Sequence, residues 1–180
     1  MLNLYDFYEQ PDTLPLYDSK FTHALKCLAY RGKWGRGITA EELQPVINII
    51  QKIPKFAYQY ARAILQKRWP EAEPVIIKEP EYALLYAGFV MCSRWPEAEP
   101  MFKLSADDAY RYSQCVLLHD PEWQYTRGRW PDAEPVIMKD PWFAYTYADD
   151  VLRHRWREAE EYIMKNPEYW ALYKERFDIE

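Results

Sequence analysis

Apolar and polar positions along the chain alternate between two kinds of helical segment. The segment PEYALLYAGFVMCSR (80–94) has apolar side chains at helical spacing, which predicts a long amphipathic helix. The segment before it, PEAEPVIIK (70–78), predicts a shorter helix that starts at Pro70, with acids near its amino end and Lys78 at its carboxyl end. Pro74 is expected to bend this short helix. The stripe of the long helix comprises Tyr82, Ala83, Tyr86, Ala87 and Val90.

A seven-residue motif marks the start of each pair of segments. RWPEAEP occurs at 68–74 and 94–100, and it returns as RWPDAEP at 129–135 and as RWREAEE at 155–161. The spacings between the tryptophans are 26, 35 and 26 residues. A repeat of this period is typical of solenoids, in which each unit buries its apolar face against the next. We therefore predict an all-α fold, a short α-solenoid of tandem helix pairs with repeats of about 26 residues and atypical terminal units.

The period predicts a single helical-repeat domain over residues 1–180. The four motif tryptophans are expected to be buried between units. In the last unit Trp170 and Lys174 replace the alanines of the earlier stripe, as expected where no further unit packs. Thr39 and Glu42 form a capping box for a helix at about 40–52. The predicted divisions are a degenerate N-terminal unit or cap at 1–33, repeats at 34–68, 69–94, 95–129 and 130–155, and a C-terminal capping unit at 156–180.

Composition and charge narrow the class of protein. A hydrophobic content of 49% argues against disorder, and a net charge of −5 argues against generic attraction to nucleic acid or anionic membranes. No apolar run is long enough to span a membrane, and no signal peptide is visible. Cys27, Cys92 and Cys115 form no paired motif, which favours free thiols in a reducing compartment. We expect a cytoplasmic protein, in the interior of a host cell.

Candidate catalytic chemistry is sparse in this sequence. The three histidines do not lie at metal-ligand spacing, and no nucleophile, metal or phosphate motif is present. The adjacent pairs Asp107/Asp108 and Asp149/Asp150 do not point at one ion and are expected to be solvated. We therefore predict a protein that is not an enzyme and uses no cofactor or metal. A small-ligand site or an active site around His119 and Asp120 stays the least favoured alternative.

The repeated acids allow two interpretations. They form an acidic surface for a basic partner, or they complement helix dipoles and pair with the arginine series Arg68, Arg94, Arg129 and Arg155. The second interpretation is favoured, because an acid in a first helical turn needs no other explanation. The candidate partner-binding acids are Glu71, Glu73, Glu97, Glu99, Asp132 and Glu134.

Two insertions interrupt the period, at 35–40 and 118–127. A regular array has no internal need for additional residues, and insertions in repeat proteins often lie on the binding face. A tolerated surface loop is an equally good interpretation of each insertion. The candidate partner-binding residues of the second insertion are His119, Asp120, Trp123, Tyr125 and Arg127.

The units at 68–87 and 129–156 resemble uncharacterised proteins of tailed phages and related mobile elements, built from tandem RWPEAEPxIMKDPxxAYxYA repeats. The likeness covers roughly residues 54–173, and KLSADD at 103–108 departs from it. The resemblance implies a helical array in a viral setting. Together with the acidic composition, it leads us to expect a protein–protein interaction module that blocks or modulates a host protein, such as a defence or nuclease complex, by steric blocking or acidic mimicry. The alternative is nucleic-acid binding along the arginine and aromatic series, which is disfavoured, and self-association stays open.

Overall fold

The computed structural model describes residues 40–121 and 126–180, and within these ranges the protein is all-helical. Ten α-helices and no strand occur in this part of the chain, which confirms the all-α prediction there. The chain divides into two compact units, Met1–Glu79 and Pro80–Glu180. The predicted unit 1–33, Trp34 and the capping residue Thr39 lie outside the described residues.

The described part of the first unit contains three helices. They are α1 (Ala40–Ile50), α2 (Pro54–Tyr60), which continues as a π-helical turn (Ala61–Leu65), and α3 (Glu73–Ile76). Helix α2 packs against both α1 and α3. The side chains buried here include Ile50, Phe56, Ala57, Tyr60, Ala61, Trp69, Ala72 and Ile76.

The second unit alternates long and short helices. The long helices are α4 (Pro80–Tyr86), continued by a π turn (Ala87–Met91), α6 (Ala106–Cys115), α8 (Pro141–Tyr147), continued by a π turn (Ala148–Leu152), and α10 (Pro167–Arg176). The short helices are α5 (Glu99–Phe102), α7 (Glu134–Ile137) and α9 (Glu160–Ile163). Single 3-10 turns lie at Leu117–His119 and Arg157–Ala159.

Within this unit each long helix packs against the next long helix in chain order, α4 on α6, α6 on α8 and α8 on α10. Helix α7 contacts both α6 and α8, and helix α9 contacts both α8 and α10. The stripe alanines Ala83 and Ala87 are completely buried, as are Ala144 and Ala148 of α8 and its π turn. Burial of small side chains at these contacts agrees with the predicted stripe.

The short helices begin later than the sequence suggested. The prediction that the first one starts at Pro70 is wrong, because residues 70–72 form turns and α3 begins at Glu73. Pro74 therefore lies in the first helical turn, where its missing N–H has no helical partner to lose. The same arrangement recurs in α5 and α7. The second proline of the motif thus starts the helix and does not bend it.

Two of the long helices, α8 and α10, begin at a proline that follows a capping residue. Asp140 is extended, and its carboxylate accepts the backbone N–H groups of Trp142 and Phe143 ahead of α8. Asn166 does the same for α10. The stretch KLSADD lacks this proline, and Ser105 caps α6 instead by accepting from the Asp108 N–H at 3.4 Å. Each device satisfies N–H groups that a helix start leaves without a partner.

Three of the long segments end in an unusual way. Each widens into a π-helical turn and stops at a residue in the left-handed region, namely Gln66 (φ 53°), Cys92 (φ 51°) and Arg153 (φ 56°). Non-glycine residues rarely adopt this conformation, because the Cβ atom approaches the backbone. Two residues separate each of these positions from a motif tryptophan, so the reversal sets the direction in which the motif leaves the helix.

Candidate functional site

Each described motif is held by a forked ion pair between its arginine and its second acid. Arg94 donates from Nε and Nη2 to the two carboxylate oxygens of Glu99, both at 2.7 Å. Arg129 makes the same pair with Glu134 at 2.7 and 3.2 Å. A planar guanidinium that meets a carboxylate with two parallel bonds is a strong and directional contact. The other two pairs are Arg68 with Glu73 and Arg155 with Glu160.

The backbone of the motif tryptophan is fixed by a tyrosine 17 residues later. The N–H groups of Trp95, Trp130 and Trp156 donate to the hydroxyls of Tyr112, Tyr147 and Tyr173 at 2.8, 2.7 and 2.6 Å. The Tyr112 hydroxyl in turn donates to Glu99 at 3.2 Å, which joins this bond to the forked ion pair. Burial raises the pKa of Tyr173 to about 12. The hydroxyl therefore keeps its proton at neutral pH and both accepts and donates a hydrogen bond.

Two of these tyrosines, Tyr112 and Tyr147, also contact the tryptophan of the next motif through their rings. Tyr112 lies against Trp130 with ring centroids 5.0 Å apart, and Tyr147 lies against Trp156 at 5.4 Å. Tyr86 contacts Trp95 in the same manner at 5.3 Å. Tyr112 and Tyr147 thus each join their own helix to one motif by the hydroxyl and to the following motif by the ring. The predicted burial of the four tryptophans is confirmed, since none is more than 8% exposed.

The sequence reasoning missed this tyrosine link, although a signal was present. A tyrosine follows each motif tryptophan by 17 residues at Tyr86, Tyr112, Tyr147 and Tyr173. The spacing was invisible to a search for helix periods, because the two residues lie on different helices and meet only after folding. Comparing the units position by position would have found it.

The two acids of each motif have different environments. The second acids, Glu73, Glu99, Glu134 and Glu160, bind the motif arginines, which confirms the predicted pairing for this position. Glu99 is itself only 7% exposed. The first acids are all exposed to solvent and are Glu71, Glu97, Asp132 and Glu158. Of the predicted partner-binding acids, Glu71, Glu97 and Asp132 therefore lie at the surface, whereas Glu73, Glu99 and Glu134 are engaged within the motif.

The second insertion is tied to the regular part of the unit at two points. Asp120 is buried and accepts the backbone N–H of Arg94 at 2.8 Å, 26 residues away. Gly128 adopts φ 76°, and a Cβ there would lie 2.5 Å from the Ser113 carbonyl oxygen, so only glycine fits. The carboxylate of Asp120 is therefore an anchor and not the exposed partner contact that the sequence suggested.

The remaining predicted residues of the insertion differ in placement. His119 ends a 3-10 turn with its ring exposed, and Arg127 is exposed in the left-handed region with φ 55°. Trp123 and Tyr125 lie outside the described residues. Of the five candidates, His119 and Arg127 are the described side chains that solvent reaches freely.

Asp150 is exposed, as the sequence predicted, and Asp149 is partly exposed, but both side chains also have partners on neighbouring helices. Asp149 forms an ion pair with Arg176 of α10, and Asp150 accepts a hydrogen bond from the Tyr110 hydroxyl of α6 at 2.6 Å. Burial, followed by the bond to Asp150, raises the pKa of Tyr110. The two adjacent acids thus connect the end of α8 to the helices on its two sides.

Charge is distributed unequally between the two units. Residues 80–180 contain 19 acidic and 12 basic side chains, a net charge of −7, whereas residues 1–79 contain 9 acidic and 11 basic side chains. The exposed acids Glu97, Asp132 and Glu158 all belong to the second unit. This unit therefore presents a negative surface whose repeated element is the first acid of each motif.

Comparisons of the chain with protein-family models, curated proteins and solved structures gave no match. In the described residues no group of three or more His, Cys, Asp or Glu side chains is arranged to hold a metal ion. None of the described helices has the length and apolar content needed to cross a membrane.

Proposed function

We propose that this protein is a short α-solenoid that recognises another protein without catalysing a reaction. The packing of consecutive long helices in the second unit supports the solenoid. So does the recurrence of the same Arg–Glu, Trp–Tyr and ring contacts at successive motifs. Units that contact their neighbours through identical elements are the basis of a one-dimensional array.

The observation that carries the recognition proposal is the difference between the two acids of each motif. The second acid forms an ion pair with the arginine, while the first acids Glu97, Asp132 and Glu158 stay exposed at the same position of successive motifs. None of these three forms an ion pair within the described part of the chain. A periodic set of exposed carboxylates on a unit of net charge −7 suits a partner with a basic surface.

The same geometry disfavours nucleic acid as the partner. The arginines that would contact phosphates already bind carboxylates with both ends of the guanidinium fork. A phosphate would have to displace a hydrogen-bonded carboxylate and approach a negatively charged unit. The resemblance to phage-type repeat proteins favours a bacterial host protein as the partner, bound inside the host cell. The proposed mechanism is steric blocking or mimicry of an acidic surface.

The test compares two triple variants that remove the same charge. Glu97→Gln, Asp132→Asn and Glu158→Gln together neutralise the first acids. Glu81→Gln, Glu168→Gln and Glu175→Gln together neutralise three other exposed acids of the same unit. Parent and variants are used as bait in a bacterial lysate, with and without nuclease, and the captured proteins are quantified by mass spectrometry. Circular dichroism shows that both variants keep the parent's helix content.

The proposal expects one protein captured in stoichiometric amount by the parent and by the control variant, and lost at least tenfold by the first-acid variant. Equal capture by both variants would show that the repeated acids do not form the interface. Capture that disappears with nuclease would replace the proposal with nucleic-acid binding.

A further inference from the structure

Cys92 lies at a position whose residue varies between repeats. The left-handed residues three positions before Trp69, Trp95, Trp130 and Trp156 are Gln66, Cys92, Arg127 and Arg153. The residues four positions earlier are Arg62, Gly88, Trp123 and Asp149, so the repeat with Cys92 also has a glycine here. Departures from a repeat that serve no stacking role tend to mark function.

The fold places Gly88 and Cys92 near the second cysteine, Cys115. Cys92 ends the π turn after α4, and Cys115 ends α6, the long helix against which α4 packs. Both are free and exposed. They line one shallow groove with a volume of about 240 Å³, whose other walls are Gly88, Phe89, Val116 and His119.

Gly88 lies where the two helix ends meet. A Cβ at this position would be in ordinary van der Waals contact with α6, at 3.4 Å from the carbonyl oxygen of Cys115 and 3.9 Å from a methyl group of Val116. Glycine weakens a helix interior relative to alanine, so its presence one turn before Cys92 is a cost to local stability. The close contact places the helix end that carries Cys92 directly beside the end of α6 that carries Cys115.

We infer that this groove is a thiol-modification site, in which hydrogen peroxide oxidises Cys92 and Cys115 to an intramolecular disulfide. One thiolate attacks a peroxide oxygen, which yields a sulfenic acid and releases hydroxide. The other thiol then attacks the sulfenic sulfur, so that the S–S bond forms and water leaves. Overall, two thiols and one peroxide give one disulfide and two waters. This inference goes beyond partner recognition and does not depend on it.

The third cysteine, Cys27, is an internal control, because it could form a disulfide with either Cys92 or Cys115. The full chain is reduced, freed of reductant, treated with hydrogen peroxide and alkylated. It is then digested with trypsin without reduction. The inference expects the peptides 79–94 and 112–127 to be joined, with a mass about 2 Da below the sum of the free peptides. Cys27 should be recovered in alkylated form, and dithiothreitol should restore both free peptides.

Single substitutions separate this outcome from general thiol oxidation. Cys92→Ser and Cys115→Ser should each abolish the cross-link and leave a sulfenic acid on the remaining groove cysteine, which dimedone traps. Cys27→Ser should leave the cross-link yield unchanged. The inference is overturned if Cys92 and Cys115 are oxidised independently, if either pairs with Cys27, or if the product is a disulfide-linked dimer.

Discussion

The motif at 94–100 and the motif at 155–161 make the same contacts from different sequences. The first has both prolines, whereas the second has Arg157 and Glu161 in their places. The forked ion pair and the Trp N–H to Tyr hydroxyl bond occur in both. The comparison shows that the prolines are dispensable for the motif and that the arginine, tryptophan, second acid and distant tyrosine define it.

The two motifs differ in what lies beyond them. The Tyr112 ring contacts Trp130 of the next motif, whereas Tyr173 contacts Trp170 and Phe177 of its own C-terminal segment. The Arg94–Glu99 side chains are 29% and 9% exposed, and those of Arg155–Glu160 are 41% and 13% exposed. The motif at 94–100 is therefore joined through Tyr112 to the next motif, while the motif at 155–161 is covered by aromatic residues of its own C-terminal segment. Three substitution pairs test this difference, and a fourth pair tests the left-handed residues that end the long segments.

The largest effect is expected from truncation of the two tyrosines. Tyr112→Ala should lower the free energy of unfolding by about 3–5 kcal/mol, because it removes a fully buried ring and its contact with the next motif. Tyr173→Ala should cost less, because the Tyr173 ring contacts Trp170 and Phe177 of its own segment and no motif tryptophan. Urea denaturation of both variants measures the difference. Equal losses would show that contact with a following motif adds no stability.

A smaller effect is expected when only the hydroxyl is removed. Tyr112→Phe leaves the Trp95 N–H and the buried Glu99 without this partner and should cost about 1–3 kcal/mol. Tyr173→Phe should cost less, because Glu160 lies farther from its hydroxyl, at 3.5 Å, and is more exposed. Both variants keep the ring, so thermal melts compare the hydrogen bonds alone. A larger loss for Tyr173→Phe would contradict this account.

The sequence predicted the parts of this motif that depend on local pattern. The period, the buried tryptophans and the start of a long helix at Pro80 followed from spacing and from backbone restrictions on proline. These features depend on residues that are close in sequence, so helix periodicity and capping rules predict them directly.

The contacts that the sequence did not predict all join residues distant in the chain. The bond from Trp95 to Tyr112 and the roles of Asp149 and Asp150 depend on how one helix lies against the next. The late start of α3 depends on a turn that competes with a helical start at Pro70. Local propensity cannot decide such competitions, because tertiary contacts determine which alternative has the lower free energy.

Neutralising the second acids should give a still smaller difference between the two motifs. Glu99→Gln leaves the partly buried Arg94 without a counter-charge and should cost roughly 1–2 kcal/mol. Glu160→Gln should cost roughly 0.5–1 kcal/mol, because its arginine is more exposed and solvent screens the pair. Chemical denaturation at low and high salt measures both, and the salt dependence should be the stronger for Glu160.

The decrease of stability at low pH gives a second test of the ion pair between Arg155 and Glu160. The hydrogen bond from Arg155 holds the pKa of Glu160 below its ordinary value. A lowered pKa in the folded state stabilises the protein above the unfolded-state pKa of about 4.3, and this contribution is lost as pH falls through the folded-state value. The stability difference between parent and Glu160→Gln should therefore shrink as pH falls below the unfolded-state pKa of about 4.3 and through the lower folded-state pKa. A difference independent of pH would refute the ion-pair assignment.

The smallest effect concerns the left-handed residues that end the long segments. Arg153→Gly should raise stability by about 0.5–1 kcal/mol, since glycine adopts φ 56° without strain. Asp178 has φ 50° after α10, but aspartate tolerates this region better than arginine does. Asp178→Gly should therefore change the melting temperature little. A loss of stability on Arg153→Gly would show that its side chain matters more than its backbone.

Tyr112 and Tyr147 each contact one motif through the hydroxyl and the next motif through the ring, and this has a consequence for how such a chain can change its length. If residues 130–155 were excised, Arg129 would precede Trp156, its guanidinium would face Glu160, and the Tyr112 ring would meet Trp156. Tyr173 would still accept the Trp156 N–H. Because residues 130–155 contain one such tyrosine hydroxyl and one such indole, their removal leaves the Arg–Glu and Trp–Tyr contacts of the remaining motifs with partners. Such a chain can thus be lengthened or shortened by one unit without redesign of these motif contacts.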